Sequence, residues 1–569
     1  MGVIIMKSTL FKTLIVSVIT IMTTSIILTG CQSKPDVVVP TSSTVDLSAP
    51  GAYPIVKEKI TLKALAIQIP VIQDIKTNVF TKWWEEKTNI HIEWKMIPSD
   101  AITEKVNLIM ASGDLPDIFY GVNLTDIQES KYGVSEKLIV PLNDLIKTQA
   151  INFNKLVEKY PEITGGITNT DGKIYSMPQW NQAFHSSYAN KMWINQTWLD
   201  KLGLKQPETT DDFYNVLKAF KTKDPNGNGK ADEVPLAGSV DGWLSDESFI
   251  MNSFVFDAGM TEVTKRYIKN DIIDTSVNKP GYKEGLKYLA KLYKEGLLSK
   301  SSFTQKNDQV MQLAANPDAC LLGATPNGAS LGFVQSANQK VYRQYQAIAP
   351  LKGPEGVQQT PFFKYGALVG GKFAISKECK YPEAALRMFD MLYDKEVALR
   401  HSTGEPDKDW RWAEAGEVGI NGKPAVYKSL ATYNSTDPQN RAHMYLGADN
   451  ATSDFRLGSV SDPKVDLFSP EGTEKMLYTV SKTKYEPYTS KDYGILPSIK
   501  LLDSETQDIS SISVELAKYI SESKIKFIVG EQDIDANWDK YIKGLDNIGL
   551  KKYLEIYQKG YDRQFKKAK

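Results

Sequence analysis

Two strand patterns with one helical stretch between them constrain this 569-residue chain more than any other feature. In residues 59–68, KITLKALAIQ, the side chains Ile60, Leu62 and Ala64 alternate and then merge into an apolar run, as in a buried strand. Residues 89–98, NIHIEWKMIP, put Ile90, Ile92, Trp94 and Met96 on one face and His91, Glu93 and Lys95 on the other. NVFTKWWEEKTN between them reads as a helix, so the order is β-α-β. Further helices follow from spacing: Phe213, Leu217 and Phe220 behind a Thr209-x-x-Asp212 cap, Tyr282, Leu286, Leu289 and Tyr293 ending before Gly296, and Ala385, Phe389 and Leu392 behind Pro382. Short apolar runs such as QAIAPL and KFAIS separate them as strands. Strands alternating with helices imply α/β layering, with ligands at strand ends.

At 41% hydrophobic and 24% charged the chain can bury a substantial core, and Lys plus Arg equals Asp plus Glu at 68 each. That balance points to no nucleic acid, anionic membrane surface or strongly acidic ligand. Lys7 and Lys12 precede an apolar run from Thr13 to Leu28 that stops at LTGC, which reads as a signal peptide over residues 1–30, with Met6 as a second possible start. LTGC resembles the bacterial lipobox, which makes Cys31 the lipidated first residue and places the chain on the outer side of a cell membrane. Residues 31–55, rich in Pro, Ser and Thr, read as a flexible linker. Cys320 and Cys379 are then the remaining cysteines, too few for a disulfide framework or a cysteine metal cluster.

DPNGNGKADE, residues 224–233, places Asp224, Asn226 and Asn228 at positions one, three and five of a tight loop, with Gly229 sixth to make the turn. Asp232, Glu233 and the Lys230 carbonyl complete six oxygen ligands for a structural Ca²⁺. Position twelve, where a bidentate Glu is expected, is Pro235, so the second half departs from the EF-hand pattern. An Asn-Gly turn between a helix and a strand accounts for the glycines alone.

Flat aromatic faces stack on sugar C–H surfaces and planar polar groups bind hydroxyls, so aromatics in polar, turn-rich settings are the candidate ligand contacts. These are Trp180 with Gln179 in SMPQWN, Trp243 in SVDGWLSDES, Trp410 and Trp412 in DWRW, and Tyr120 after PDIF. Trp83, Trp84, Trp94, Trp193, Trp198 and Trp538 lie on periodic segments and are expected in the core. Acid pairs such as Glu405 with Asp407 or Asp241 with Glu247 exist, but none of His91, His185, His401 and His443 sits in a metal or nucleophile motif. No enzyme is expected.

SGDLPDIFYG (residues 112–121), GKIYSMPQW (172–180), MWINQTWLDKLGLKQPETTDDFYNVLKAFK (192–221), YKEGLLS (293–299), YPEAALRMFDMLYDKE (381–396) and WDKYIKGLDNIGLKKYLEIYQKGYDR (538–563), in this order, resemble the extracellular solute-binding proteins (family 1) of carbohydrate ABC importers. The similarity is to the large lipoprotein subgroup that includes alginate-binding proteins, some of which carry a loop with the same alternating calcium ligands. The resemblance implies a two-lobed periplasmic-binding-protein-like α/β fold (type II) with lobes joined by crossing hinge strands. Residues 56–187 and 364–402 would form lobe 1, and 188–363 and 403–569 lobe 2. It also implies a monomer that captures an oligosaccharide in the interlobe cleft, closes by hinge motion and delivers it to membrane permease subunits. A peptide-binding or signalling lipoprotein of the same fold, and a surface polysaccharide hydrolase or lyase, remain as other readings.

Overall fold

The structure, a computed structural model, describes residues 45–259, 263–316, 320–335, 338–431 and 438–566. The β-α-β opening forms as the periodicity predicts: β1 (Ile60–Gln68) and β2 (Ile90–Pro98) pair in parallel through the helix Val79–Thr88, whose N-cap Asn78 accepts the Phe80 N–H. β3 (Ile118–Tyr120) joins β1 in parallel, and β4 (Met177–Trp180) enters later at the sheet edge. The chain then leaves for a second sheet, built from β5 (Met192–Asn195) and β6 (Val234–Leu236), with a hairpin of β7 (Arg266–Lys269) and β8 (Ile272–Thr275) beside it. β9 (Leu322–Pro326) and β10 (Tyr345–Ile348) complete that sheet in the order β10-β5-β9-β6. β11 (Leu368–Ile375) returns to the first sheet, antiparallel between β3 and β4, giving the order β2-β1-β3-β11-β4.

Each sheet has its own apolar core. Trp84, Trp94, Tyr120 and Phe389 belong to the first, and Trp193, Trp198, Phe213 and Trp538 to the second, so the tryptophans expected in the core are there, with Trp83 packed at its edge. The chain passes between the cores at residues 181–191, at 349–367, and again between the helices Ser453–Leu457 and Thr473–Val480. These are two α/β lobes joined by several crossings. The helix starts read from sequence also hold: Thr209 and Asp212 form a reciprocal capping box at 3.0 Å each way, and Pro382 opens its helix.

Two boundary expectations are corrected. Residues 45–55 were expected within the flexible linker, but Ile55 is buried and Arg387 donates to the carbonyls of Ser48 and Ala49, so this stretch is fastened to lobe 1. The stretch after residue 403 was expected in lobe 2, yet Leu446 and Ala448 lie in the first core and Asn78 Nδ2 donates to the Ala442 carbonyl at 3.0 Å. Met444 and Tyr445, at φ 21° and 63°, make the left-handed turn that folds this loop back. Gly447 then rests on Tyr120, where an added Cβ would lie 2.3 Å from the phenol oxygen. The nearby ribbon of β12 (Trp410–Trp412) and β13 (Tyr427–Ser429) shares a small cluster with Leu399 and Phe455. Among the described residues no helix is long and apolar enough to cross a membrane, and residues 1–44, with Cys31 and the signal segment, lie outside them.

Candidate functional site

The parallel strands of both lobes end near the crossings, which is where open α/β sheets bind ligands. After β6, residues 237–247 form a loop whose Trp243 is 41% exposed. Its indole lies flat over Gly328, where a Cβ would meet the ring at 2.4 Å, so only glycine permits this seat. The His185 ring stands edge-on to Trp243 with centroids 6.4 Å apart. His185 Nε2 is 3.5 Å from Glu474 Oε2, and Arg456 binds the same carboxylate with two nitrogens at 2.9 and 3.1 Å while its third reaches Asn181 Oδ1 at 3.1 Å. On the lobe 1 side Asp449 adds a carboxylate, 19% exposed, whose backbone N–H donates to Gln179 Oε1 at 3.2 Å.

Charge in this wall is balanced locally. Burial works against the Arg456 guanidinium, but Glu474 more than offsets it and holds it up, while Arg456 and His185 hold the partly exposed Glu474 carboxyl well below its ordinary range. Burial pulls the His185 imidazole down against Glu474, and its Nδ1 is buried without a hydrogen-bond partner. Burial also takes the Lys191 ammonium down to about 7, where it donates to the carbonyls of His185, Tyr188 and Gly328 and ties the crossing to the Trp243 seat. The other face of the Trp243 loop opens on a cavity of about 250 Å³ lined by Ser239, Ser245, Asp246, Glu247, Ser302 and Lys524, with Lys524 and Glu247 paired at 2.6 Å. An aromatic face, hydroxyls, and paired charges that keep acceptors in place suit a neutral polyhydroxyl ligand.

The expected contacts scatter. Trp243 and Gln179 stand at this wall. Trp180 is 2% exposed, its ring packed in the core against Tyr160 while the neighbouring Gln179 is partly exposed, which removes the Trp180 ring from stacking. Tyr120 is fully buried one layer beneath the 443–449 loop rather than at a cleft surface. Trp410 is also fully buried, its indole N–H bound to the Gly404 carbonyl at 2.9 Å, whereas Trp412 is exposed on the ribbon, edge-on to Trp410. Arg456, Glu474, His185 and Asp449 were not singled out as contacts from sequence; each comes from a different segment and no local motif joins them.

The 224–233 loop adopts the turns that its spacing predicts. Asp224 accepts the N–H groups of Gly227, Asn228 and Gly229 at 3.0–3.1 Å, Asn226 accepts that of Asn228, and Asn228 accepts that of Lys230. Both Glu233 carboxylate oxygens are buried without a hydrogen-bond partner, and burial, then the charges of Asp224 and Asp232, push this carboxyl up. Asn226 and Asn228 amides close on Asp232. Among the described residues no three His, Cys, Asp or Glu converge closely enough to hold a metal alone. The orphaned Glu233 oxygens, within the field of Asp224 and Asp232, nevertheless fit a hard cation, with the asparagine side-chain oxygens as supplementary ligands.

The model of the bacterial extracellular solute-binding proteins matches residues 69–399. The chain belongs to this family. The solute-binding protein is 28% identical over 565 residues, 97% of its length and 98% of the relative's, to the fructooligosaccharide ABC transporter substrate-binding protein FusA of Streptococcus pneumoniae. FusA in complex with kestose superposes with a TM-score of 0.72 at 26% identity, over 88% of this chain and 99% of that one; an EF-hand mutant of FusA in complex with fructo-nystose gives the same values. The alginate-binding protein AlgQ2, in a structure without calcium ion, shares the fold at 23% identity and a TM-score of 0.64, over 89% of this chain and 98% of that one. A family that presents solutes to transporters is non-catalytic, which removes the hydrolase or lyase reading.

Proposed function

We propose that this solute-binding protein captures a short neutral fructooligosaccharide, of the size of kestose, between its lobes and delivers it to ABC permease subunits. The observation that carries the reading is end-to-end similarity to FusA, a fructooligosaccharide-binding protein, combined with Arg456 and Lys524 each already committed to a carboxylate. Arg456 is bound by Glu474 and Lys524 by Glu247, so a uronate arriving here would compete with existing carboxylates. A neutral sugar meets instead a Trp243 face and fixed acceptors. Trp243, Asp449, Arg456, Glu474 and Gln179 are the proposed contacts, and closure over the sugar is stabilised by contacts made only when both lobes touch it.

Two further parts belong to this reading. The 224–233 loop holds Ca²⁺ through Asp224, Asn226, Asn228, the Lys230 carbonyl, Asp232 and Glu233, supported by the orphaned Glu233 oxygens and by the EF-hand of FusA. The ion fixes a loop of lobe 2 and takes no part in sugar chemistry. Cys31 carries a lipid that holds the protein on the outer membrane face as a monomer. The test is thermal shift of the mature protein against kestose, alginate oligomers, maltotriose and a mixed peptide pool. A rise of several degrees with kestose alone, the sugar recovered intact, supports the proposal; a rise only with peptides would return the peptide-binding alternative.

A further inference from the structure

We propose that Asp449 is a sugar-hydroxyl acceptor of the cleft and that a buried chain of four side chains, His401, Tyr120, His443 and Thr81, fixes its charge and direction. The proposal rests on the cleft being the oligosaccharide site. His401 Nδ1 lies 3.0 Å from Asp449 Oδ1, off the axis a hydrogen bond needs, so the contact is electrostatic and neither of these buried atoms has a hydrogen-bond partner. His401 Nε2 is 3.1 Å from the Tyr120 hydroxyl, which is 3.1 Å from His443 Nδ1, and His443 Nε2 is 2.7 Å from Thr81 Oγ1. Tyr120, His401 and His443 are fully buried and Thr81 is 1% exposed. Phe80 meets both imidazoles edge-on, and Trp84 and Trp94 pack edge-on against His443.

Proton counting gives the chain one direction. A neutral imidazole has one donor and one acceptor, and a hydroxyl donates once. Burial and the neighbouring His401 hold His443 well below its ordinary range, hence neutral. A carboxylate oxygen 3.0 Å away favours an N–H over a bare lone pair at His401 Nδ1, and Nε2 then accepts from Tyr120 O–H. The Tyr120 oxygen then accepts from His443 Nδ1–H, and His443 Nε2 accepts from Thr81 O–H. The opposite direction would aim the bare His401 Nδ1 at the carboxylate. Asp449 Oδ2 meanwhile accepts the Tyr445 N–H at 3.1 Å, which leaves its partly exposed edge for a ligand hydroxyl. Lys372 and Arg456 are the cations that feel this carboxylate. His401 is therefore a positioning residue, and Tyr120, His443 and Thr81 keep its tautomer.

The first test needs no ligand. The chain has four histidines, so ¹⁵N spectra of the histidine-labelled mature protein resolve every ring. Two rings should be Nδ1–H tautomers, and in Asp449→Leu both should switch to Nε2–H, although His443 never touches Asp449. In Tyr120→Phe, His401 should keep its tautomer while His443 no longer follows Asp449. Nε2–H rings in the parent protein, or a His443 tautomer indifferent to Asp449→Leu, would overturn the chain. The second test is kestose affinity. Asp449→Asn and His401→Leu should weaken it tenfold or more, while His401→Asn, which keeps a donor at the Nδ1 position, should stay within about threefold of the parent. Unchanged affinity in Asp449→Asn would overturn the acceptor role. Absence of kestose binding by the parent protein sinks the ligand assignment instead, and the spectra still decide the chain.

Discussion

Replacing Arg456 by Met removes the guanidinium that joins the lobe 1 side of the last crossing to Glu474 in lobe 2. Both side chains are 29% exposed, between a surface pair worth up to about 1 kcal/mol and a buried pair whose disruption costs about 3–5 kcal/mol. The geometry is bidentate, with a third hydrogen bond to Asn181, so the expected loss is about 2 kcal/mol. Glu474→Gln should cost a similar amount, because it leaves the guanidinium half-buried without its charge. The double variant should cost about 2 kcal/mol and not about 4, since neither partner is then stranded. Urea unfolding followed by tryptophan fluorescence, with unchanged slope, measures all three. Additive single effects, or an Arg456→Met variant within about 0.5 kcal/mol of the parent, would refute the account of this wall as a coupled unit.

Other outcomes follow from single contacts. Trp243→Ala should weaken kestose binding tenfold or more and lower stability by about 2–3 kcal/mol, because the residue is 41% exposed and the rest of it is packed; isothermal titration and urea melts read the two separately. Gly328→Ala places a methyl group against the indole and should lower kestose affinity in the same direction. Chelation should lower the melting temperature of the parent protein and leave Glu233→Gln unaffected, and equal melts with and without chelator would remove the metal. Asp390 gives a pH signature: burial, against N–H donors from Asn152 and Phe153, pushes its carboxyl up to about 6. A raised acid contributes stability that is full below its unfolded value near 3.8 and is lost as pH rises through 6, on the order of 3 kcal/mol. The stability difference between the parent and Asp390→Asn should therefore fall between pH 4 and 7, and parallel pH profiles would contradict it.

Local chemistry was legible in the sequence where neighbours in the chain decide the outcome. The β1-helix-β2 opening, the Thr209 cap, the Pro382 helix start and the turns of the 224–233 loop all depend on spacing of a few residues. Trp180 and Trp410 looked exposed because their neighbours are polar, but their burial is set from afar: the Trp180 backbone is held by Asn450, 270 residues on. Membership of residues 438–451 in the first lobe turns on the left-handed pair Met444 and Tyr445, types that no turn rule marks. His401 and His443 sit in no metal or nucleophile motif, and their alignment with Tyr120 and Asp449 exists only after β3, a helix and a distant loop meet.

The most direct measurement is isothermal titration of the mature protein with kestose and, in parallel, with an alginate trimer. The account predicts saturable one-to-one binding of kestose, intact sugar at the end, and at least a hundredfold weaker response to the uronate. Tight uronate binding with no response to kestose would contradict it, and would mean that the Arg456 and Lys524 pairs open to receive a carboxylate.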